Sequence, residues 1–254
     1  MISMNFKWLE NYNLINLEST DSTNTEALNL ARHSIKNNHV IVAEEQSASR
    51  GSRGKGWFTM PGNLNCSILL VNVGNIKHCS SFPFILANVL QKTLHYFAHL
   101  NNIQLDIASK WPNDILINGK KVAGILVETI SVDGENYVVI GFGINVVLTP
   151  VITNAQFSPT SLANEGLYID DKKELLNCVI ANFDIEYQKW LINKDFNPIR
   201  KKWLENAYHL NECITITDGQ KRISGIFKDI TSIGEIVMEL SNGRVISYNH
   251  GDVI

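Results

Sequence analysis

Long apolar runs are missing from this chain. No stretch approaches the ~20 residues needed to span a bilayer, and the first ten residues carry no apolar core behind their charges. Neither secretion nor membrane insertion is therefore expected. Cysteine is scarce as well: Cys66, Cys79, Cys178 and Cys213 lie far apart and form no Cys-x-x-Cys pair. That excludes a sequence-evident zinc site or disulfide framework and reads as reduced thiols in a cytoplasmic protein. Charge of one sign is not in excess either. A formal net charge of -3 argues against a broad surface built to neutralise nucleic-acid phosphates. No repeat, low-complexity tract or Pro/Ser-rich linker divides the chain.

What remains is an ordinary globular composition, 44% hydrophobic and 19% charged over 254 residues, with room for one good core and a small second domain. The pattern changes near Tyr208. Before it, helices alternate with strands. Thr23-x-x-Glu26 reads as a capping box opening a helix through about Arg32, and His39 to Glu44 reads as a buried strand. Asn65 to Val73 is strand-like. Ser81-Phe82-Pro83 leads into a helix whose apolar face carries Ile85, Val89, Leu90, Leu94 and Phe97. Asp114 to Ile117, Lys121 to Thr129 and Tyr137 to Asn145, separated by Asn118-Gly119 and Asp133-Gly134, predict a three-stranded meander bringing Trp111, Lys121 and Asn145 together. Asp171-x-x-Glu174 caps a further helix. After Tyr208, short alternating segments broken by Asp218-Gly219, Ile233-Gly234 and Asn242-Gly243 predict a small β-barrel of about five strands. The expected division is thus residues 1–207 and 208–254.

Four segments carry chemistry. Ser49 to Trp57 interleaves Gly51, Gly54 and Gly56 with Arg50, Arg53 and Lys55, so backbone amides and cations can wrap an anion. Alone it reads equally well as a basic surface loop, and Gly56 after Lys55 rules out a Walker loop. Lys110-Trp111-Pro112-Asn113-Asp114 is denser in functional groups than a turn requires. Lys121 opens a strand in which Gly124 permits close approach of a ligand. Gly141-Phe142-Gly143-Ile144-Asn145 ends an antiparallel strand and lacks the further glycine of a dinucleotide fingerprint. Ser22, Thr23 and Asn24 begin a helix, where such residues commonly serve as caps. His95 and His99 are spaced i, i+4 but have no third ligand, so no protein metal site is expected.

Together and in this order, these segments resemble the biotin protein ligase family, from about Leu17 to the C-terminus. The resemblance implies an α+β fold, with a mixed, largely antiparallel sheet and helices of the class II synthetase-like type. A small C-terminal SH3-like barrel would cover Gly225 to Ile254. It implies activation of biotin with ATP to biotinyl-5'-AMP, with release of pyrophosphate, then transfer to a lysine of a biotin carrier protein such as the acetyl-CoA carboxylase carrier subunit. Mg2+ would be bound mainly through ATP. By the same resemblance Ser22, Thr23, Asn24 and Gln46 take the polar head of biotin. The loop with Arg50, Gly51, Ser52 and Arg53 closes over biotin and the adenylate phosphate. Arg50, Lys55 and Lys110 hold phosphates, Trp57 walls the biotin site, Asn113 and Asp114 support ATP, and Lys121 is the essential lysine. Gly124, Gly141, Gly143 and Asn145 line the two pockets, with Ser161 and Leu162 after the adenine-side loop. The catalytic set would be Lys121, Arg50 and Lys110.

Two departures mark the loop: Ser49 stands where the family has its first glycine and Ser52 where it has its second arginine. Whether Ser52 or Arg53 fills that role stays open. The alternative activity on the same fold is a lipoate or octanoate protein ligase or transferase, against which the Lys-Trp-Pro-Asn-Asp segment and the Arg-Gly loop speak. About twenty residues precede Ser22, too few for the helix-turn-helix module of a ligase that is also a repressor, so no nucleic-acid partner is expected. No residue pattern decides between monomer and homodimer.

Overall fold

Two left-handed turn pairs frame the main sheet. Asn118 and Gly119 have φ of 51° and 74°, and Asp133 and Gly134 have 50° and 81°, conformations that asparagine, aspartate and glycine adopt most readily. They fold the middle of the chain back on itself twice. The computed structural model describes residues 7–54, 56–150, 157–218 and 221–254. Its seven-stranded sheet runs β1-β2-β3-β7-β6-β5-β4. The strands are β1 (Tyr12–Thr20), β2 (Asn38–Gln46), β3 (Leu64–Leu70), β4 (Ile107–Lys110), β5 (Asp114–Ile117), β6 (Lys120–Val132) and β7 (Glu135–Ile144). Only β1 and β2 pair in parallel; every other neighbour is antiparallel.

The meander has four strands rather than the expected three. β4 pairs with β5, so Trp111-Pro112-Asn113 is itself the turn between two strands. Edge strand β1 was also absent from the sequence reading, because half-exposed positions alternating with polar ones give it little apolar signal.

Helices cover both faces. Helix α1 (Thr23–Arg32) buries Ala27 and Ala31 against Ile41, Leu69, Tyr137 and Val139. The opposite face carries α2 (Phe82–Leu100), which starts with a proline in its first turn, and α3 (Lys172–Asn193), where the Asp171 side chain accepts from the Lys173 amide. The expected apolar positions of α2 are buried, and α3 buries Leu176, Val179, Ile180, Phe183, Tyr187 and Trp190. The capping box expected at Thr23 and Glu26 is not formed. Ser22 is the N-cap and makes no side-chain cap bond, while Glu26 accepts from the Thr20 hydroxyl.

A short helix α4 (Asn197–Leu204) leads to a five-stranded antiparallel sheet, ordered β11-β10-β9-β8-β12. It contains β8 (Cys213–Asp218), β9 (Lys221–Ile230), β10 (Ile236–Glu239), β11 (Val245–Tyr248) and β12 (Asp252–Val253). Packing does not break between the two sheets. Trp203, fully buried, meets Phe84 on α2 and Phe227 on β9 edge-on, and one buried cluster runs from the main sheet through Ile214, Phe227, Ile230, Ile236 and Met238. Burying an aromatic of this size contributes several kcal/mol, ~3–5 by truncation elsewhere, so α4 is a strong joint.

Candidate active site

Cross-strand register builds the floor of the site. Asp114 lies opposite Gly124, Gly124 opposite Gly143 and Gly143 opposite Asn65, while Leu126, Gly141 and Ser67 form the neighbouring row. Glycines at adjoining positions on one face leave a trough in a sheet that is otherwise studded with side chains. The trough is occupied closely from above. A Cβ on Gly143 would fall 2.4 Å from the Trp57 ring, and one on Gly141 would fall 2.1 Å from Asn24 Oδ1. Neither position has room for any other residue.

The N-terminus of α1 opens onto this trough, placing amide donors and the positive end of a helix dipole where an anion can meet them. Ser22, Thr23 and Asn24 are all buried there. Gln46 Oε1 accepts from the Thr23 amide at 2.8 Å and from its hydroxyl at 3.2 Å, so this glutamine caps the helix from a neighbouring strand. The Ser67 hydroxyl lies 2.7 Å from Thr23 Oγ1 and 2.6 Å from Asn24 Oδ1, fixing both side chains from the sheet below.

The glycine-rich loop closes over the other side. It is pinched at its base, where the Ser49 hydroxyl donates to the Trp57 carbonyl and Arg50 bridges Gly56. The serine that departs from the family's glycine thus secures the loop. The pinch brings Arg50 and Trp57 together at the cleft wall, beside Gly51 and Ser52. Arg50 donates to Thr25 Oγ1 at 2.8 Å and pairs with Glu128 at 3.1 Å.

Cations flank the far end. Lys121 Nζ lies 2.7 Å from Asp114 Oδ1 and 5.6 Å from the Trp57 ring. Lys110, buried, approaches the same carboxylate at 3.9 Å and sits 4.4 Å over the Phe157 ring. Asp114 therefore sets the spacing between two lysines. Asn113 is held by donation of its side-chain amide to the Ile125 carbonyl at 2.5 Å.

Of the residues singled out in the sequence, Ser22, Thr23, Asn24, Gln46, Arg50, Gly51, Ser52, Trp57, Asn113, Asp114, Lys121, Gly124, Gly141 and Gly143 line one cleft. Asn145 does not line it. It donates to the Thr160 carbonyl at 2.9 Å and accepts from Asn63 at 3.3 Å, a structural bracket behind the site. Trp111 also turns away, its indole reaching Gly234 in the second sheet. Lys55 and the Arg53 side chain lie outside the described residues. Sequence reasoning missed Glu128, Ser67, Thr25 and Cys66. Glu128 and Ser67 are ordinary polar residues until the sheet register places them, Thr25 until α1 docks beside the loop, and Cys66 contributes an inert wall, since burial pushes its thiol well above the usual range.

A glycine trough, a helix N-terminus and cations on two sides suit a ligand with one polar anionic end and a bulky flat body. The model for the biotin/lipoate A/B protein ligase family matches residues 17–145, the segment that forms this cleft. The chain belongs to that family. Among its biotin-ligase relatives, the biotin–[acetyl-CoA-carboxylase] ligase of Paracoccus denitrificans is 33% identical over 91% of this chain and 95% of its own length. A bifunctional ligase/repressor of Bacillus subtilis is 30% identical over 91% of this chain and 70% of its own. The Aquifex aeolicus biotin protein ligase, solved with biotin and ATP, superposes with a TM-score of 0.77 at 25% identity, covering 95% of this chain and 97% of that one. The matched family segment ends at Asn145, so the second sheet rests on these longer matches.

Proposed function

We propose that this chain is an ATP-dependent biotin protein ligase, forming biotinyl-5'-AMP with release of pyrophosphate and passing the biotinyl group to a lysine of a carrier protein such as that of acetyl-CoA carboxylase. The observation that carries this reading is the convergence of Arg50, Lys121 and the α1 N-terminus on one glycine-floored cleft. The biotin head would lie at Ser22, Thr23 and Asn24 with its rings alongside Trp57, which Gly143 admits close to the sheet. Its carboxylate would then point toward Lys121.

Attack of that carboxylate on the α-phosphorus brings two anions together, so the barrier is dominated by charge and orientation. Lys121, at the cleft, would meet the charge that accumulates on the phosphoryl oxygens, with Lys110 on the other side of the shared Asp114 carboxylate adding to the positive field. Arg50 would retain the adenylate phosphate. In the second step the carrier amine attacks the mixed anhydride and AMP leaves, requiring no enzyme nucleophile. Among the described residues no group of three metal-ligating side chains exists. Among the described residues lining the cleft Asp114 is the one carboxylate; Mg2+ would be held chiefly by ATP oxygens, where it would neutralise the departing pyrophosphate. Residues 1–207 would form the catalytic domain and 208–254 the SH3-like one.

The test is pyrophosphate release on mixing with biotin and ATP, beside calorimetric titration with biotin and with lipoate. Biotin-dependent release is expected, with Lys121→Ala lowering it by about 10²-fold or more at an unchanged melting temperature. Release dependent on lipoate but not biotin would overturn the reading.

A further inference from the structure

Arg50 is held in place by a residue outside the cleft. Its guanidinium has five N–H donors. One reaches Thr25 Oγ1 at 2.8 Å, and Nη2 meets both oxygens of Glu128, at 3.3 and 3.1 Å. The same carboxylate accepts from Asn24 Nδ2 at 2.7 Å. A carboxylate only accepts, so Glu128 dictates which end of the Asn24 amide faces it and leaves Oδ1 to the Ser67 hydroxyl. Arg50 and Asn24 line the cleft while Glu128 does not. One acid on β6 thus joins the glycine-rich loop to the first turn of α1.

Building on the proposed ligase activity, we infer that Glu128 is a positioning residue that holds the Arg50 guanidinium, with Thr25, in the orientation needed to retain the anionic adenylate. The donors of Arg50 left over from these contacts would then be presented to the ligand without a search among rotamers. Its negative charge stands behind the guanidinium, so it orients the cation rather than opposing the phosphate.

Glu128→Gln removes the charge that orients Arg50 while keeping the acceptor for Asn24. With the amide oxygen in the place of Oε2, the bond from Asn24 survives and Arg50 keeps a neutral contact there, while the amide nitrogen replaces Oε1, the second oxygen that Nη2 meets, and Arg50 loses its charged anchor. The experiment follows the rate at which purified enzyme releases biotinyl-5'-AMP, with biotin affinity measured separately by calorimetry. Glu128→Gln is expected to speed release about tenfold and to leave biotin affinity within about twofold. Thr25→Val, which removes the hydroxyl that accepts from Arg50 and leaves the Glu128 and Asn24 side chains as they are, should speed it severalfold. In an Arg50→Ala background, Glu128→Gln should add less than about twofold, since it acts through Arg50. Unchanged release in both single variants, or a full tenfold effect in the Arg50→Ala background, overturns the inference. Parent enzyme that forms no biotinyl-5'-AMP would instead overturn the proposed function.

Discussion

The Trp111 indole nitrogen donates a 2.9 Å hydrogen bond to the Gly234 carbonyl, across 123 residues of sequence, from the turn bearing Lys110 and Asn113 to the second sheet. The contact is part-buried. Gly234 has φ of 85°, and a Cβ there would fall 2.7 Å from Phe84, so the carbonyl is presented by a turn only glycine fits. The second sheet therefore braces an active-site turn.

Trp111→Phe keeps an aromatic body and removes the donor, leaving a part-buried carbonyl without its partner. The expected loss is about 1–3 kcal/mol in urea unfolding. Turnover should fall further than stability explains, with the KM for ATP rising because Lys110 and Asn113 flank the released side chain. An unchanged KM in a folded variant would show that the brace is purely structural.

Gly143→Ala places a methyl group inside the Trp57 ring. Overpacking of this kind costs about 1–3 kcal/mol unless the neighbour moves, and Trp57 is the neighbour that can. Biotin affinity by calorimetry should drop at least tenfold, with a shift in tryptophan fluorescence. Adding Trp57→Ala should restore stability without restoring affinity; a single Gly143→Ala variant that binds biotin normally contradicts the trough.

Glu165 accepts from Thr160 at 2.6 Å, Asn118 at 2.7 Å and Lys120 at 3.0 Å. Desolvation pushes its carboxyl up, but these three bonds and the Lys120 charge outweigh it and hold the group below its ordinary value. A depressed folded-state pKa gives stability that is present above the unfolded value and is lost as pH falls through the folded one. Wild type should exceed Glu165→Gln at pH 7 by on the order of 1 kcal/mol in denaturant unfolding, with the gap closing below about pH 4. A gap independent of pH would contradict the assignment.

Ser52 occupies the position of the family's second loop arginine, and Arg53 follows it. One charge-assisted arginine contact contributes roughly 1.5–3 kcal/mol, enough to change retention of the adenylate by about tenfold. Arg53→Ala is expected to release biotinyl-5'-AMP and label an unrelated lysine-rich protein, while Ser52→Ala changes little. Equal leakage from both, or from neither, would show that Arg53 has not taken over the role.

Much of this molecule was legible locally. Asn118-Gly119 and Asp133-Gly134 announce their turns because few residues tolerate positive φ, and Asp171 announces its helix because its carboxylate satisfies an open amide. The order of the motifs was enough to bring the family into view. Tertiary structure decided the rest. Gly124 faces Gly143, Trp57 fills the space above them, and Glu128 meets Arg50 across 78 residues. It also turned two expectations aside: Asn145 braces a loop, and Thr23 is capped by Gln46 rather than by a box with Glu26. Turns and caps are set by the φ/ψ preferences and hydrogen bonds of adjacent residues, so they can be read along the chain. Partners across a sheet are set by register and by what packs against it, quantities that exist only once distant strands have met.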